Sequence, residues 1–171
     1  MFPTLKIHWL ACVAVVFSLC LLMPVAASDI EMADRVLIKK SERKLFLMKK
    51  DRVLKSADIS LGLVPEGDKK TEGDFRTPEG SYQLTERNPA SDFFLSILIS
   101  YPDGNDNREA DLLGLSPGGQ IMIHGQPNNP VHSPDYYRWT DWTDGCVAVS
   151  NSNMVDIWLM TDNNTPVEIL P

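Results

Sequence analysis

Beyond its first 27 residues, this chain is written in short apolar segments of period two, cut apart by turn residues. That pattern leaves little room for anything but a β fold. "RVLIKK" and "KLFLMKK" alternate apolar with polar residues, and Ser41-Glu42-Arg43 between them reads as a hairpin turn. "DRVLKSADISLG" predicts a third strand ending at Gly62. Thr77-Pro78-Glu79-Gly80 is a turn ahead of the alternating strand Ser81 to Thr85. "FFLSILISY", Phe93 to Tyr101, is more continuously apolar, which predicts a central strand. "PDGNDNREADLLGLSPGG" predicts a polar loop or a short helical excursion. "QIMIHG" is a strand with Ile121 and Ile123 on one face and Met122 and His124 on the other. After Cys146, "VAV" is a short strand, and Ser150 or Ser152 can cap a helix carrying Met154, Val155, Trp158 and Leu159 at helical spacing. Asp162-Asn163-Asn164 ends it, and "PVEIL" is a last strand. The expectation is a mainly β domain with one helix in its C-terminal half.

The first 27 residues read differently. Lys6 and His8 precede the apolar run "WLACVAVVFSLCLLM", Pro24 breaks it, and small residues stand at Val25 and Ala27. That is the order of a cleavable secretory signal peptide, and the run is shorter than the ~20 residues of a membrane-spanning helix. Leu19 before Cys20 does not make a lipid-anchoring site. Residues 28–171 then form one domain with no internal repeat, linker or charge block, long enough for a sizeable core. The chain carries a formal net charge of −7, and the leader contributes only Lys6 to its basic side. An acidic chain of this kind excludes nucleic acid and acidic membranes as natural partners.

Cysteine usage narrows the chemistry. Exported proteins often use thiols in pairs, yet Cys146 has no partner once Cys12 and Cys20 leave with the signal segment. A thiol nucleophile needs a base within reach and donors for the oxyanion. In "TDGCVAV", Gly145 permits a tight backbone path that could aim the amides of Gly145 and Cys146 at one point. His124, at a strand end before the flexible Gly125, is the candidate base, whereas His132 in "NNPVHSPD" reads as a surface residue. The alternatives are an inert buried cysteine and a loop-capped histidine. Zinc from His124, His132, Cys146 and Asp144 is possible by residue type, but the close ligand pairs of structural zinc are lacking; no metal and no cofactor is expected. Tyr136, Tyr137, Trp139 and Trp142 put four aromatics in one segment, either core or a lid over substrate. Arg138 is placed there to meet a carboxylate.

"IHG" followed by "TDGCVAV", with "GDFRTPEGSYQL" upstream, resembles the signature of the L,D-transpeptidase catalytic domain (YkuD-like) family. The likeness spans nearly all of Val36 to Leu170. It implies a β-sandwich or barrel of that family. It also implies a Cys146 thioester with a peptidoglycan stem peptide, His124 as base and the Gly125 carbonyl orienting its ring. The amides around Gly145 and Cys146 would hold the oxyanion. Arg138, Trp139, Trp142, Thr143 and Asp144 are the substrate-contact candidates. Such enzymes react with carbapenems and work in the periplasm or cell envelope, after export across the inner membrane. This chain departs from many members at Asp144, where they carry a histidine, and at Ala148, where they carry Arg or Asn. The acceptor is therefore open: an amine on a wall peptide or wall-attached protein, or water. A non-catalytic peptidoglycan-binding module is the reading from another class.

Overall fold

The computed structural model describes residues 29–171; the signal-peptide expectation falls outside them. Eight strands form one sheet: β1 (Arg35–Lys39), β2 (Lys44–Lys49), β3 (Arg52–Asp58), β4 (Gly80–Ser91), β5 (Phe94–Ile99), β6 (Met122–His124), β7 (Val147–Ala148) and β8 (Pro166–Leu170). Their order is β3-β2-β1-β8-β4-β5-β6-β7. The β1–β8 and β6–β7 pairs are parallel and the others antiparallel. The sequence expectation of a mainly β fold is met.

Alternation sorts the faces as read. Val36 and Ile38 of β1, Leu45 and Leu47 of β2, Tyr82 and Leu84 of β4 and Val167 and Ile169 of β8 all enter one core. Each fully buried Ile, Leu or Val contributes roughly 1.5–3 kcal/mol over leaving it in water. The third strand is shorter than expected. It ends at Asp58, after which Ser60 and Gly62 turn to pair with Ala148 and Thr143 instead of β2. That change of partner lays the chain alongside the cysteine turn.

Among the described residues there are three helices, where the sequence predicted one and left a short helical excursion open as a second. α1 (Gly104–Leu113) buries only Ala110, so no apolar stripe announces it. Its caps hold it: Asp103 accepts from the amides of Asn105 and Asp106, Asp106 accepts from the Asp103 amide, and Gly114 closes the other end at φ 67°. α2 (Pro134–Trp139) is a six-residue turn capped by Ser133, with Pro134 where a missing N–H costs nothing. α3 (Asn151–Met160) is the expected helix, and Ser150 caps it. Its buried face is Met154, Ile157 and Met160, whereas Val155 and Leu159 are exposed. Of the predicted row, Met154 is buried and Trp158 packs half-buried on the core, while Ile157 and Met160 take the inward places expected for Val155 and Leu159.

One inward position on β1's line is charged. Lys40 follows Val36 and Ile38 in period two and is 2% exposed. Its Nζ donates to Glu79 Oε1 (2.8 Å), Gly67 O (2.6 Å) and Thr77 O (2.9 Å). Three acceptors from one segment thus close on a single ammonium, pinning residues 67–79 to the sheet. Replacing Lys40 by Met keeps the volume but strands Glu79 and two carbonyls. Because Glu79 retains some water, the expected loss is roughly 2–3 kcal/mol, below that of a wholly buried pair. Denaturant unfolding checks it; a wild-type midpoint would contradict the pinning role.

Candidate active site

The parallel register between β6 and β7 sets Ile123 opposite Val147 and His124 opposite Ala148. Carried back one residue, it sets Met122 opposite Cys146. Side chains alternate, so His124 and Cys146 share a face as diagonal neighbours, while Ile123 and Val147 point into the core. Two residue types singled out by sequence, 22 positions apart, are therefore brought together by a two-residue strand.

His124 is 2% exposed and walled by the rings of Phe93 (4.6 Å between centroids) and Trp142 (5.6 Å). Its Nδ1 lies 2.7 Å from the carbonyl oxygen of Gly125. A carbonyl only accepts, so Nδ1 carries the proton and donates it; Nε2 then holds the lone pair. Burial pushes the imidazole pKa down to about 4, against which the Gly125 bond pulls only partly. The ring is neutral at neutral pH.

Gly125 is not the flexible residue expected. Its φ is not positive. It is a glycine because a Cβ there would sit 2.6 Å from Asn151 Oδ1 and 3.0 Å from Phe93 O. Its own amide donates to the carbonyls of Phe93 and Leu95. The carbonyl that orients the imidazole is thus fixed by close packing. Gly145 does take the tight path, at φ 132°, where a Cβ would meet Arg76 O at 2.6 Å.

The Cys146 thiol is half-buried and donates to Gln120 O at 3.6 Å. Burial raises its pKa and the Asp144 carboxylate adds to that, while a backbone hydrogen bond from Met122 and the charge of Lys69 work the other way. The resting pair is a neutral thiol and a neutral imidazole.

The substrate-contact candidates separate. Thr143 is 4% exposed, and its hydroxyl is spent inside its own turn: it donates to Cys146 O (2.8 Å) and accepts from the Gly145 amide (3.1 Å). This corrects two expectations. Thr143 braces backbone and does not face substrate, and the Gly145 N–H, bound to it, is not a free oxyanion donor. Trp142 is half-buried and donates to Tyr137 O (3.1 Å), forming the wall against His124. Trp139 is 66% exposed, with the Arg138 guanidinium 4.6 Å above its ring. Arg138 lies 3.6 Å from Asp58, and Asp144 is exposed. His132 is exposed and stacks on Tyr136, apart from the dyad. Among the described residues no three His, Cys, Asp or Glu side chains gather as metal ligands.

The 127–142 segment is tied down along its length. Tyr137 accepts at its hydroxyl from the amides of Val131 and His132, and at its carbonyl from Ser60 Oγ. Asp141 accepts from the Arg43 guanidinium (2.8 Å) and the Leu61 amide (2.8 Å). Neither Arg43 nor Asp141 stood out in the sequence, because surface charges of this kind carry no pattern. Under this segment opens a cavity of about 630 Å³, lined among others by Ser60, Gln126, Tyr137, Arg138, Ala148 and Asn151. Gln126 and Ala148 continue the His124–Cys146 face by one step, so the cavity flanks the dyad, although neither dyad side chain lines it.

The chain belongs to the L,D-transpeptidase catalytic domain family, whose model matches residues 33–169. That family acts on peptidoglycan stem peptides. The structure is similar to the helical cell shape determining protein Pgp2 from Campylobacter jejuni, at 27% identity and TM-score 0.60, over 78% of this chain and 46% of that one. It is also similar to Bd1075 from Bdellovibrio bacteriovorus (24%, TM-score 0.55, 82% and 51% covered). An L,D-transpeptidase from Mycobacterium smegmatis shares the fold at 12% identity (TM-score 0.52, 80% and 58% covered). The chain spans about half the length of these structures. No curated protein matches it significantly.

A histidine with a folded-state pKa below its unfolded value contributes stability above the unfolded value near 6.5. That contribution is lost as pH falls toward 4, because the unfolded chain takes the proton first. The wild type should therefore lose stability between about pH 6.5 and pH 5, and His124→Gln should show a shallower loss over that window. Equal slopes in denaturant titrations would contradict a buried neutral imidazole.

Proposed function

We propose that the protein is a cell-wall acyl-transfer enzyme in which Cys146 carries the acyl group of a peptidoglycan stem peptide as a thioester. The observation that carries this reading is the dyad itself: His124 and Cys146 share a face, and the Nδ1 bond to Gly125 leaves Nε2 as the base. Nε2 takes the thiol proton as Sγ attacks the scissile carbonyl. The imidazolium then protonates the departing amine, the C–N bond breaks and a C–S bond remains. An acceptor amine, losing its proton to Nε2, attacks the thioester and restores the thiol. Backbone or solvent donors other than the Gly145 amide would meet the oxyanion.

Resolution by water is the second reading. The observation that favours it is Ala148, a buried methyl in the cavity wall at the position where the family resemblance implies Arg or Asn. Arg138 is then the cationic group lining the cavity that remains for a peptide carboxylate. The likeness to Pgp2 extends the proposal to wall remodelling that sets cell shape, and the leader-like N-terminus to action in the periplasm or envelope.

Incubation with a carbapenem should give a one-to-one mass adduct on Cys146, and Cys146→Ala should give none. With purified sacculi, new cross-links or exchanged terminal D-amino acids establish transfer, and shortened stems alone establish hydrolysis. Sedimentation with sacculi without any product, unchanged in Cys146→Ala, would overturn both in favour of a binding module.

A further inference from the structure

The Lys69–Thr77 segment supplies nothing to the dyad, yet a buried ion pair in it is braced against the cysteine turn. Lys69 is 4% exposed, and its Nζ donates to Asp74 Oδ1 (2.8 Å) and Thr71 O (3.0 Å). Asp74 also accepts from the amides of Lys70 (2.8 Å), Thr71 (3.1 Å) and Arg76 (3.1 Å), so its carboxylate wraps the segment around the ammonium. Arg76 then lays its carbonyl against Gly145, within 2.6 Å of where a Cβ would stand. Thr77 accepts the Gly62 amide on its hydroxyl (3.2 Å) and Lys40 on its carbonyl. The charge is thus mounted on the segment that packs against Gly145, the residue before Cys146.

A charged pair is a poor choice if the segment only needs fastening, because desolvating both partners offsets most of their attraction. An apolar plug would hold a loop as well. What an apolar plug cannot supply is a positive field in a site where the nucleophile must become an anion. Among the described residues, the charged groups on the elements around the Cys146 turn are Asp144 in the turn itself and the Lys69–Asp74 pair of this segment, beside the neutral His124 of β6. The neighbouring charges are engaged elsewhere. Lys70 binds Asp68 and Glu109, and Arg76 reaches the Asp68 carbonyl.

We propose that Lys69 is a positioning residue of the acyl-transfer site: its buried ammonium, fixed by Asp74 behind the Gly145–Cys146 turn, stabilises the Cys146 thiolate as it forms and offsets Asp144. The inference rests on Cys146 being the reacting thiol, and its test reads the thiol without any wall substrate. Full-length protein is alkylated with iodoacetamide across about pH 6 to about pH 11, and the rate at Cys146 is followed by peptide mapping, which separates it from Cys12 and Cys20.

Lys69→Met should move the midpoint of the pH–rate curve up by about one unit, close to tenfold slower alkylation at neutral pH. Lys69→Arg should keep the wild-type midpoint. Asp74→Asn, which removes the negative partner and leaves the ammonium, should move the midpoint down. Opposite shifts separate a field effect from loosening of the segment, which would shift both variants the same way. A wild-type midpoint in Lys69→Met, or upward shifts in both variants, overturns the proposal. If Lys69→Met fails to fold, an unchanged or raised midpoint in Asp74→Asn does so alone. Shifts as expected in a protein that never acylates would leave this inference standing and remove the proposed function.

Discussion

A single hydrogen bond, from His124 Nδ1 to the carbonyl of Gly125, determines what this site can do. It fixes the tautomer, and the tautomer leaves Nε2 as the only ring atom able to take a proton. The bond forms only because Gly125 has no side chain. Asn151, Phe93 and Phe94 close around that position, and its amide is held by the β5 side of the sheet. The two-residue pairing of β6 with β7 then carries Cys146 onto the same face. Everything proposed about acyl transfer follows from that geometry.

The electrostatics argue for a site that is neutral at rest. Burial moves the two groups in opposite senses, the thiol up and the imidazole down to about 4, and both shifts disfavour the charged forms. Protonating the imidazole in the folded protein costs about 3 kcal/mol more than in water. A standing thiolate–imidazolium pair is therefore uphill, and the charges develop only when a substrate carbonyl is there to take the sulfur's electrons. A neutral, half-buried sulfur is also a poor target for oxidants. Opposing the charge of Asp144 then becomes the work of the surrounding frame, where Lys69 sits.

The strands were legible because each buries one face, which stamps period two on Val36–Ile38, Leu45–Leu47 and Tyr82–Leu84. His124 and Cys146 were legible by residue type and by the glycines beside them. What escaped has physical reasons. α1 is held by caps rather than by an apolar stripe, so periodicity left its stretch open between a polar loop and a short helix. Gly125 was read as freedom and is close approach, a distinction that only the neighbours reveal. Thr143 stood among the substrate-contact candidates and is a buried brace, because the 59–62 stretch leaves β3 to cover it. Lys40 was within reach: it continues the inward line of Val36 and Ile38, where a lysine must find partners. Lys69 gave no such signal, since its burial depends on a loop closing around Asp74.

The most direct test of the account is the protonation state of one ring. Nitrogen-15 NMR of His124 in the free protein should show a neutral imidazole with its proton on Nδ1 and an unprotonated Nε2, persisting unchanged from neutral pH until the solution approaches pH 4. An imidazolium, or a proton resting on Nε2 at neutral pH, would contradict it.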